Sequence, residues 1–364
     1  MDKLLFTPGP LTTSITVKEA MLHDLGSRDV SFIQIVKEVR EELLQLGNVS
    51  KDKGFETIII QGSGTFGIES VISSAVPKSG RLLVLVNGAY GERIAKIATI
   101  HKIPFKVLTC DEDQVPDIEQ TKKILSEETF THMVIVQCET TSGIFNPIGD
   151  FGKLAEENNV TYIVDSMSAF GAVPVDIDAS HIDFLISSSN KCIEGVPGFS
   201  FIIAKRESLI QCKDQADTLS LDLYAQWMGL ENDGQFRFTP PVHSLLAFRQ
   251  ALVELQEEGG VAGRADRYRK NFNTLVVGMR EMGFKEYLKP DHQGYIISSY
   301  HYPEHLAFDF RVFYNSLNDR GYIIYPGKLT KANCFRIGNI GRLYASDIQS
   351  LLAAIGDVKT QMGF

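Results

Sequence analysis

Lys191 stands at an unusual place in the sequence, directly after the apolar and small-polar segment IDFLISSSN and shortly before the turn GVPGF. Lysine is normally a solvated surface residue. At the end of a buried strand it is suited to amine chemistry, because partial burial favours its neutral, nucleophilic form. Asp165 ends another apolar segment, VTYIV, one connection and one strand earlier. This aspartate could cap the following turn, or it could pair with a protonated ring nitrogen.

A turn of small residues, QGSGTFG, lies between an apolar strand and a helical segment earlier in the chain. The first free N–H groups of a helix can hold a phosphate, and Ser63 and Thr65 place a hydroxyl on each side of Gly64. Alone, this pattern indicates only a tight turn with a helix cap, since it lacks both the P-loop ending and the GxGxxG spacing. Tyr90, in NGAYGER, follows another strand and either stacks on a bound ring or packs within its loop.

The order of these features favours one cofactor site over several ordinary roles. The small-residue turn, the aspartate and the lysine follow successive strands, and the carboxyl ends of parallel strands meet at one edge of a sheet. An amine and a carboxylate on two sides of one pocket suit pyridoxal 5'-phosphate (PLP), because the lysine forms its Schiff base and the carboxylate pairs with its pyridinium nitrogen. The residues therefore predict a PLP site with Lys191 and Asp165 as catalytic residues.

The elements that must position these residues are apolar strands that alternate with helical segments. Continuous apolar strands such as FETIII, RLLVLV, THMVIV and VTYIV predict an α/β domain with a mostly parallel sheet and helices on both faces. Beyond Pro240 the pattern changes to long helices and short strands, which predicts a smaller α+β domain. The expected large domain covers residues 16–260 and the small domain residues 261–364, with a boundary uncertain by about ten residues.

Composition excludes several functional classes. The 364 residues carry a formal net charge of −9 without a basic block, so a nucleic-acid partner is not expected. No run reaches the length of a membrane span, and Pro8 and Pro10 interrupt the N-terminal segment, so neither a membrane span nor an export signal is predicted. Five scattered cysteines argue against a zinc site or a disulfide framework, and no metal is expected. A reducing, cytoplasmic location fits this usage.

Eight segments, in order and at family spacing, resemble the fold-type I, class V PLP-dependent aminotransferases along nearly the whole chain: LLFTPGPLTTS, GSGTFGIE, LVNGAYGERI, CETTSGIFNPI, YIVDSMSAFGAVPVD, SSSNKCIEGVPGFSF, RFTPPVHSLLAF and FRIGNIG. The resemblance implies a PLP-binding large domain, a small C-terminal domain, and an N-terminal segment, residues 1–15, that joins the small domain and the active site. It also implies Lys191 as the Schiff-base lysine and Asp165 as the partner of the ring nitrogen. The implied cofactor-binding residues are Ser63, Gly64, Thr65, Tyr90, Thr140, Asp165, Asn190, Lys191 and Thr239.

The resemblance further implies the substrates and the assembly. Arg336, in FRIGNIG, matches the arginine that binds the substrate's carboxylate. Relatives donate the residue matching Thr239 from the second subunit, which implies a homodimer with shared active sites. The lysine segment NKCIEGVPGF is similar to that of members that take 2-aminoethylphosphonate as amino donor and pyruvate as acceptor. These two small molecules are therefore the expected substrates.

Other activities remain open at this stage. An alanine–glyoxylate or serine–pyruvate aminotransferase would use the same cofactor residues. A cysteine desulfurase usually has a histidine before the lysine, where this chain has Asn190, and needs a mobile cysteine, whereas Cys334 sits in a predicted strand and is expected to pack in the core. A non-catalytic binding protein of this fold would be expected to lack Lys191 or Asp165. A nicotinamide dehydrogenase would need the absent dinucleotide fingerprint.

Overall fold

Apolar strands and amphipathic helices alternate along the computed structural model, which describes residues 2–330 and 332–364. The strands, in chain order, are β1 (Leu4–Leu5), β2 (Phe55–Gln61), β3 (Leu82–Val86), β4 (Phe105–Thr109), β5 (His132–Val136), β6 (Cys138–Glu139), β7 (Ile144–Phe145), β8 (Thr161–Asp165), β9 (Phe184–Ser188), β10 (Phe199–Lys205), β11 (Ile297–His301), β12 (Tyr322–Ile323), β13 (Tyr325–Pro326) and β14 (Cys334–Gly338).

The helices connect these strands and cover them. In chain order they are α1 (Ile15–Glu19), α2 (Val30–Leu46), α3 (Gly64–Ala75), α4 (Ala89–Ile100), α5 (Ile118–Glu127), α6 (Ile148–Glu157), α7 (Arg206–Gln211), α8 (Leu223–Asn232), α9 (Val242–Glu257), α10 (Gly260–Glu281), α11 (Phe310–Asp319) and α12 (Ala345–Met362). Several begin at an aspartate whose carboxylate accepts a backbone N–H of the first turn, as Asp29 does from Ser31 and Asp117 from Gln120. Such caps fix where the helix starts, because they satisfy donors that the helix itself leaves unpaired.

The main sheet of the described chain has the strand order β2-β10-β9-β8-β5-β3-β4. All neighbouring pairs are parallel except the two that involve β10. Residues 189–198 join β9 to β10 without a helix, and such a connection returns the chain antiparallel beside the strand it has just left. The prediction of a mostly parallel sheet is confirmed. The strands β8 and β9 are direct neighbours, so residues at their carboxyl ends lie side by side.

A second, smaller unit follows the main sheet. Its antiparallel sheet has the order β11-β14-β13, and α10, α11 and α12 pack beside it. The buried side chains form separate clusters: one surrounds the main sheet, and another contains Phe6, Leu275, Phe313, Phe335 and Leu351. The domain division near residue 261 remains a prediction, and these separate clusters support it.

The N-terminal segment lies against this smaller unit. β1 pairs in parallel with β12, and Phe6 is fully buried in the second cluster. The carbonyl of Pro8 then reaches the amine of Lys191 in the large unit. These contacts support the prediction that residues 1–15 join the small domain and the active site.

Within residues 2–330 and 332–364, no helix combines the length and the apolar composition that crossing a membrane requires.

Candidate active site

A cavity opens at the carboxyl ends of the parallel strands, between the first turns of α3 and α4 and the segments that follow β8 and β9. Most of the predicted site residues meet there, whereas Thr140, Thr239 and Arg336 lie outside its lining. The residues that line it are Ser63, Gly64, Thr65, Ile68, Tyr90, Arg93, Ile94, Asp165, Met167, Ser188, Asn190 and Lys191.

Lys191 enters this cavity three residues after the end of β9. Its Nζ donates a hydrogen bond to the carbonyl of Pro8 at 2.7 Å. Burial of the amine lowers the pKa of Lys191, although the nearby thiol of Cys192 and the carboxyl of Asp165 act in the opposite direction. Gly9 makes this approach possible, because it has φ +124° and a side chain there would put a Cβ 2.6 Å from Nζ. The lysine is therefore held by a neutral carbonyl and biased toward its neutral form.

Asp165 is the last residue of β8 and is only 4% exposed. Its Oδ1 accepts the backbone N–H of Met167 at 2.9 Å. Burial raises the pKa of Asp165 to about 6, and this hydrogen bond, Arg93 and Lys191 only partly offset it. Within the described residues Asp165 has no ion-pair partner at hydrogen-bonding distance, so its carboxyl retains capacity for a cationic N–H donor in the cavity.

The small-residue turn forms the N-terminus of α3. Ser63 is the N-cap residue, and its side chain makes no capping hydrogen bond, so the hydroxyl remains available. A Cβ at Gly64 would lie 2.2 Å from the sulfur of Met167, which explains why glycine stands there. Arg93 donates to Thr65 Oγ1 at 3.2 Å and adds a positive charge beside the helix N-terminus. Together these groups make a site suited to a phosphate.

Ser188 and Asn190 complete the same side of the cavity. The hydroxyl of Ser188 donates to Oδ1 of Asn190 at 3.1 Å, which leaves the Asn190 amide free to donate. Sequence reasoning identified Asn190 but not Ser188, Met167 or Arg93. Their positions were the available signal: Ser188 ends β9, Met167 lies two residues after the end of β8, and Arg93 follows Tyr90 by about one helical turn.

Tyr90 lies in the first turn of α4, which begins at Ala89. The carboxyl of Glu139, on β6, caps this turn. Its Oε2 accepts the backbone N–H groups of Tyr90 at 3.0 Å and Gly91 at 3.4 Å, and its Oε1 accepts the Thr141 hydroxyl. A distant carboxyl thus caps α4, which no local sequence signal indicates. Burial raises the pKa of Glu139 to about 7.

Thr140 and Arg336 contact each other outside the cavity lining. Arg336, on β14, donates from Nη1 to the carbonyl of Thr140 at 2.8 Å and from Nε to the carbonyl of Pro326 at 3.0 Å. Burial lowers the pKa of Arg336 below its usual range, with Tyr90, Tyr325 and Glu139 opposing. The arginine therefore has neutral partners only, within the described residues, and its remaining N–H groups are available to an anion.

Thr239 and Cys334 lie away from the cavity. Thr239 is exposed, and its carbonyl accepts a hydrogen bond from the Gln61 amide at 3.2 Å, next to the small-residue turn. Cys334 is 2% exposed, and burial raises its pKa to about 12. This thiol is buried as predicted and stays protonated, which does not suit a nucleophile.

Comparisons with known proteins identify the family of this chain. The family model described as Aminotransferase class-V matches residues 15–307. The chain is 48% identical to the 2-aminoethylphosphonate–pyruvate transaminase of Salmonella paratyphi C (strain RKS4594) over 355 residues, which are 97% of this chain and 96% of the relative. It is also 48% identical to the protein of the same name from Vibrio vulnificus (strain YJ016) over 357 residues, 97% of each chain.

Solved structures share the fold at lower sequence identity. The ureidoglycine-glyoxylate aminotransferase of Bacillus subtilis superposes with a TM-score of 0.90 at 22% identity and covers 100% of this chain and 94% of its own. The pyridoxamine-pyruvate aminotransferase of Mesorhizobium loti superposes with a TM-score of 0.90 at 20% identity. The match covers 100% of this chain and 94% of the chain of that aminotransferase. The family model matches most of the length of this chain, and relatives are 48% identical to it along nearly all of that length. The chain therefore belongs to the class-V aminotransferases.

Proposed function

We propose that this aminotransferase binds PLP covalently at Lys191 and transfers the amino group of 2-aminoethylphosphonate to pyruvate, which yields phosphonoacetaldehyde and L-alanine. The observation that carries the proposal is that three features line one cavity. They are the amine of Lys191, whose pKa is lowered, the buried carboxyl of Asp165, which has no cationic partner at hydrogen-bonding distance in the described structure, and the first turn of α3. The activity in the names of relatives at 48% identity supports the choice of substrates.

The residues of the cavity fit PLP. The hydroxyl of Ser63, the first N–H groups of α3 and the Asn190 amide would hold the phosphate, with Arg93 adding positive charge. Asp165 would pair with the ring nitrogen, and a cationic partner would return its raised pKa toward the ionised form. Tyr90 lines the same cavity and offers a ring face for stacking.

When bound, PLP supplies an electron sink for the charge that develops at the donor's amine-bearing carbon as it loses a proton. Lys191 is suited to move that proton, because burial favours its neutral amine, which can accept a proton and return it as a general acid. Asp165 would keep the ring nitrogen protonated by charge pairing, which would strengthen the sink. The Pro8 carbonyl accepts a hydrogen bond from the Lys191 amine and holds it at the cavity.

Arg336 is proposed to hold the anionic end of both substrates. Its guanidinium has neutral hydrogen-bond partners only, in the described chain, and its free N–H groups can form parallel hydrogen bonds to two oxygens of a carboxylate or a phosphonate. Lysine at this position would keep the charge but lose the paired donors, so Arg336→Lys is expected to slow both half-reactions while PLP stays bound.

A homodimer with shared sites is also proposed, on the match of Thr239. Its position on an exposed segment beside the small-residue turn supports this role. Mixing Lys191→Ala subunits with Thr239-disrupted subunits should restore one intact site per heterodimer. A verified heterodimer with no more activity than either parent would show that Thr239 does not act across subunits.

A donor panel with pyruvate, scored by alanine formation, tests the substrates. We expect 2-aminoethylphosphonate to be the best donor and ethylamine, which lacks an anion, to be poor. If L-serine, or L-alanine scored with glyoxylate, outpaces the phosphonate by a wide margin, the chain is an alanine–glyoxylate or serine–pyruvate type enzyme instead. Borohydride reduction and peptide mapping test the cofactor: the label should sit on Lys191, and labelling of another lysine would refute the assignment.

A further inference from the structure

Three cationic side chains gather around Tyr90 at the mouth of the cavity. The Nζ of Lys328 lies 5.0 Å from the Tyr90 ring centroid, and the guanidinium carbon of Arg93 lies 4.8 Å from the same centroid. Arg336 is the third: β13 and β14 pair Tyr325 with Arg336, and Lys328 lies two residues after the end of β13, in the connection to β14. A chain with net charge −9 therefore concentrates positive charge at this mouth.

None of the three cations is neutralised by a carboxylate within 4 Å among the residues that the structure describes. Arg93 donates to Thr65, and Arg336 donates to two carbonyls. The buried carboxyl of Glu139 is occupied by two backbone N–H groups and Thr141. Burial lowers the pKa of Lys328, the charges of Arg93 and Arg336 lower it further, and Glu139 and Glu92 act in the opposite direction. An incoming anion would relieve the mutual repulsion of the three cations.

The three cations have different positions relative to the cavity. Arg93 touches the small-residue turn and is therefore assigned to the cofactor phosphate. Arg336 is fixed by the carbonyls of Thr140 and Pro326, so its free N–H groups can take two oxygens of a substrate anion. Lys328 has no fixed hydrogen-bond partner in the described chain and carries a compact charge on a flexible stem. It can thus reach a third oxygen, which a phosphonate has and a carboxylate does not.

We propose that Lys328 is a substrate-binding residue that selects the doubly charged phosphonate of the amino donor, while Arg336 alone suffices for the singly charged carboxylate of pyruvate. This inference rests on the proposed function and deepens it. A phosphonate resembles a phosphate monoester, which carries roughly 1.5 to 2 negative charges at pH 7. Two cations match that charge, and one cation matches a carboxylate.

The test uses the full-length, PLP-loaded protein with Lys328→Met and Lys328→Arg, and with Lys96→Met as matched control. Lys96 lies on the exposed side of α4, so its substitution removes the same charge from the molecule without touching the mouth. The half-reactions with 2-aminoethylphosphonate and with pyruvate are followed separately by single-turnover absorbance. Lys328→Met should weaken the phosphonate half-reaction about 10- to 100-fold, the worth of one charged hydrogen bond, and the pyruvate half-reaction less than about threefold.

Binding measurements separate charge from shape and do not depend on turnover. Ethylphosphonate and ethanesulfonate both present three oxygens, but the sulfonate carries one charge. Calorimetric titration of each into the PLP-loaded protein should show that Lys328→Met loses most of the preference for the phosphonate, and that Lys328→Arg keeps it. Equal losses for both anions, or no loss for either, would overturn the role of Lys328.

Different results would refute the proposed function and the proposed role of Lys328. If the parent protein does not transfer the amino group of 2-aminoethylphosphonate, the proposed function is wrong. The ethylphosphonate and ethanesulfonate titrations still decide whether Lys328 reads the second charge. If the parent is active and Lys328→Met weakens both half-reactions equally, the proposed function stands and Lys328 has no selective role.

Discussion

Two clusters of buried ionisable groups come close together in the chain at Lys191 and Glu194, which are three residues apart and belong to one cluster each. The active cavity contains Lys191, Asp165 and, close by, Glu139, and each of them has neutral partners or none within hydrogen-bonding distance in the described structure. The second cluster, here called the arginine network, is built from Arg264, Arg267, Glu194, Glu258 and Tyr268. Both clusters are shielded from water, yet their groups behave in opposite ways.

In the arginine network every charge meets an opposite one. Arg264, which is fully buried, donates to Glu258 at 2.7 Å and to the carbonyl of Cys192, while Arg267 donates to Glu194 at 2.7 Å. Burial opposes the charged forms, but the carboxylates raise the pKa of both arginines above their usual range. The network also joins the two units, because Arg264 and Arg267, both on α10, donate to the Cys192 carbonyl and to Glu194 on the large unit.

The contrast shows what burial does with and without a partner. Where an opposite charge is present, as around Arg264, burial locks the ionised form and holds the backbone beside the lysine in place. Where no opposite charge lies within hydrogen-bonding distance, as around Lys191 and Asp165 in the described structure, burial shifts the pKa toward the neutral form and leaves the group ready to exchange a proton or to receive a cofactor. Four substitutions test this difference.

Lys191→Met should abolish transfer, with a loss of roughly 10⁴-fold or more, because the group that moves the proton is gone. The free energy of unfolding of the cofactor-free protein should stay the same or rise, since methionine removes a desolvated amine held by one carbonyl. Turnover assays and urea unfolding measure the two effects. A loss of several kcal/mol in stability would mean that Lys191 is structural, as Arg264 is.

Asp165→Asn should lower turnover about 10³-fold while some PLP still binds, because an amide cannot hold the ring nitrogen protonated by charge pairing. The variant should unfold at a urea concentration close to that of the parent, since the buried carboxyl makes one backbone hydrogen bond that the amide oxygen can keep. Near-normal turnover with PLP bound would remove Asp165 from the mechanism.

Arg264→Met should lower the free energy of unfolding by about 3–5 kcal/mol, because it leaves Glu194 and Glu258 buried with one cation fewer. The double variant Arg264→Met with Glu194→Gln should recover part of this loss. The matched control is Arg269→Met, on the same helix, whose pair with Asp266 is exposed and should contribute less than about 1 kcal/mol. Equal losses in the free energy of unfolding at Arg264 and Arg269 would show that burial does not make the Arg264 ion pairs more important for stability.

Glu139→Gln should flatten the pH dependence of stability in the cofactor-free protein. The folded-state pKa of about 7 lies above the ordinary value of 4.5, so the folded parent holds a proton that the unfolded chain releases. The free energy of unfolding should therefore fall as pH rises from about 4.5 to about 7, by roughly 3 kcal/mol at most, and then level off. Asp165 acts in the same direction from 3.8 to about 6, so the difference between parent and variant isolates Glu139. Parallel curves for the two proteins would show that Glu139 does not hold this proton.

Much of the fold and of the site could be predicted because the signals are local. Apolar strands that end in QGSGTFG, VDS and SSSNK identify both the sheet and the edge where chemistry occurs, since strands of one direction end together. Ser63, Gly64, Thr65, Tyr90, Asp165, Asn190 and Lys191 were placed at that edge in this way or by resemblance, and they line one cavity. Thr140, Thr239 and Arg336 lie around it, and their roles remain proposals.

Periodicity and strand-end residues act over short distances in the chain. They specify the alternation of strands and helices, the small-residue turn, and the placement of Asp165 and Lys191 at the ends of successive strands. How those groups are poised depends on contacts that form in the folded chain. The carbonyl on Lys191 comes from Pro8, the cap on the Tyr90 helix comes from Glu139, and the cation beside that ring comes from Lys328. Each of these contacts joins segments far apart in the chain. Glutamate, lysine and a proline carbonyl are ordinary surface groups in any local pattern, and only burial and neighbouring charge give them a chemical role.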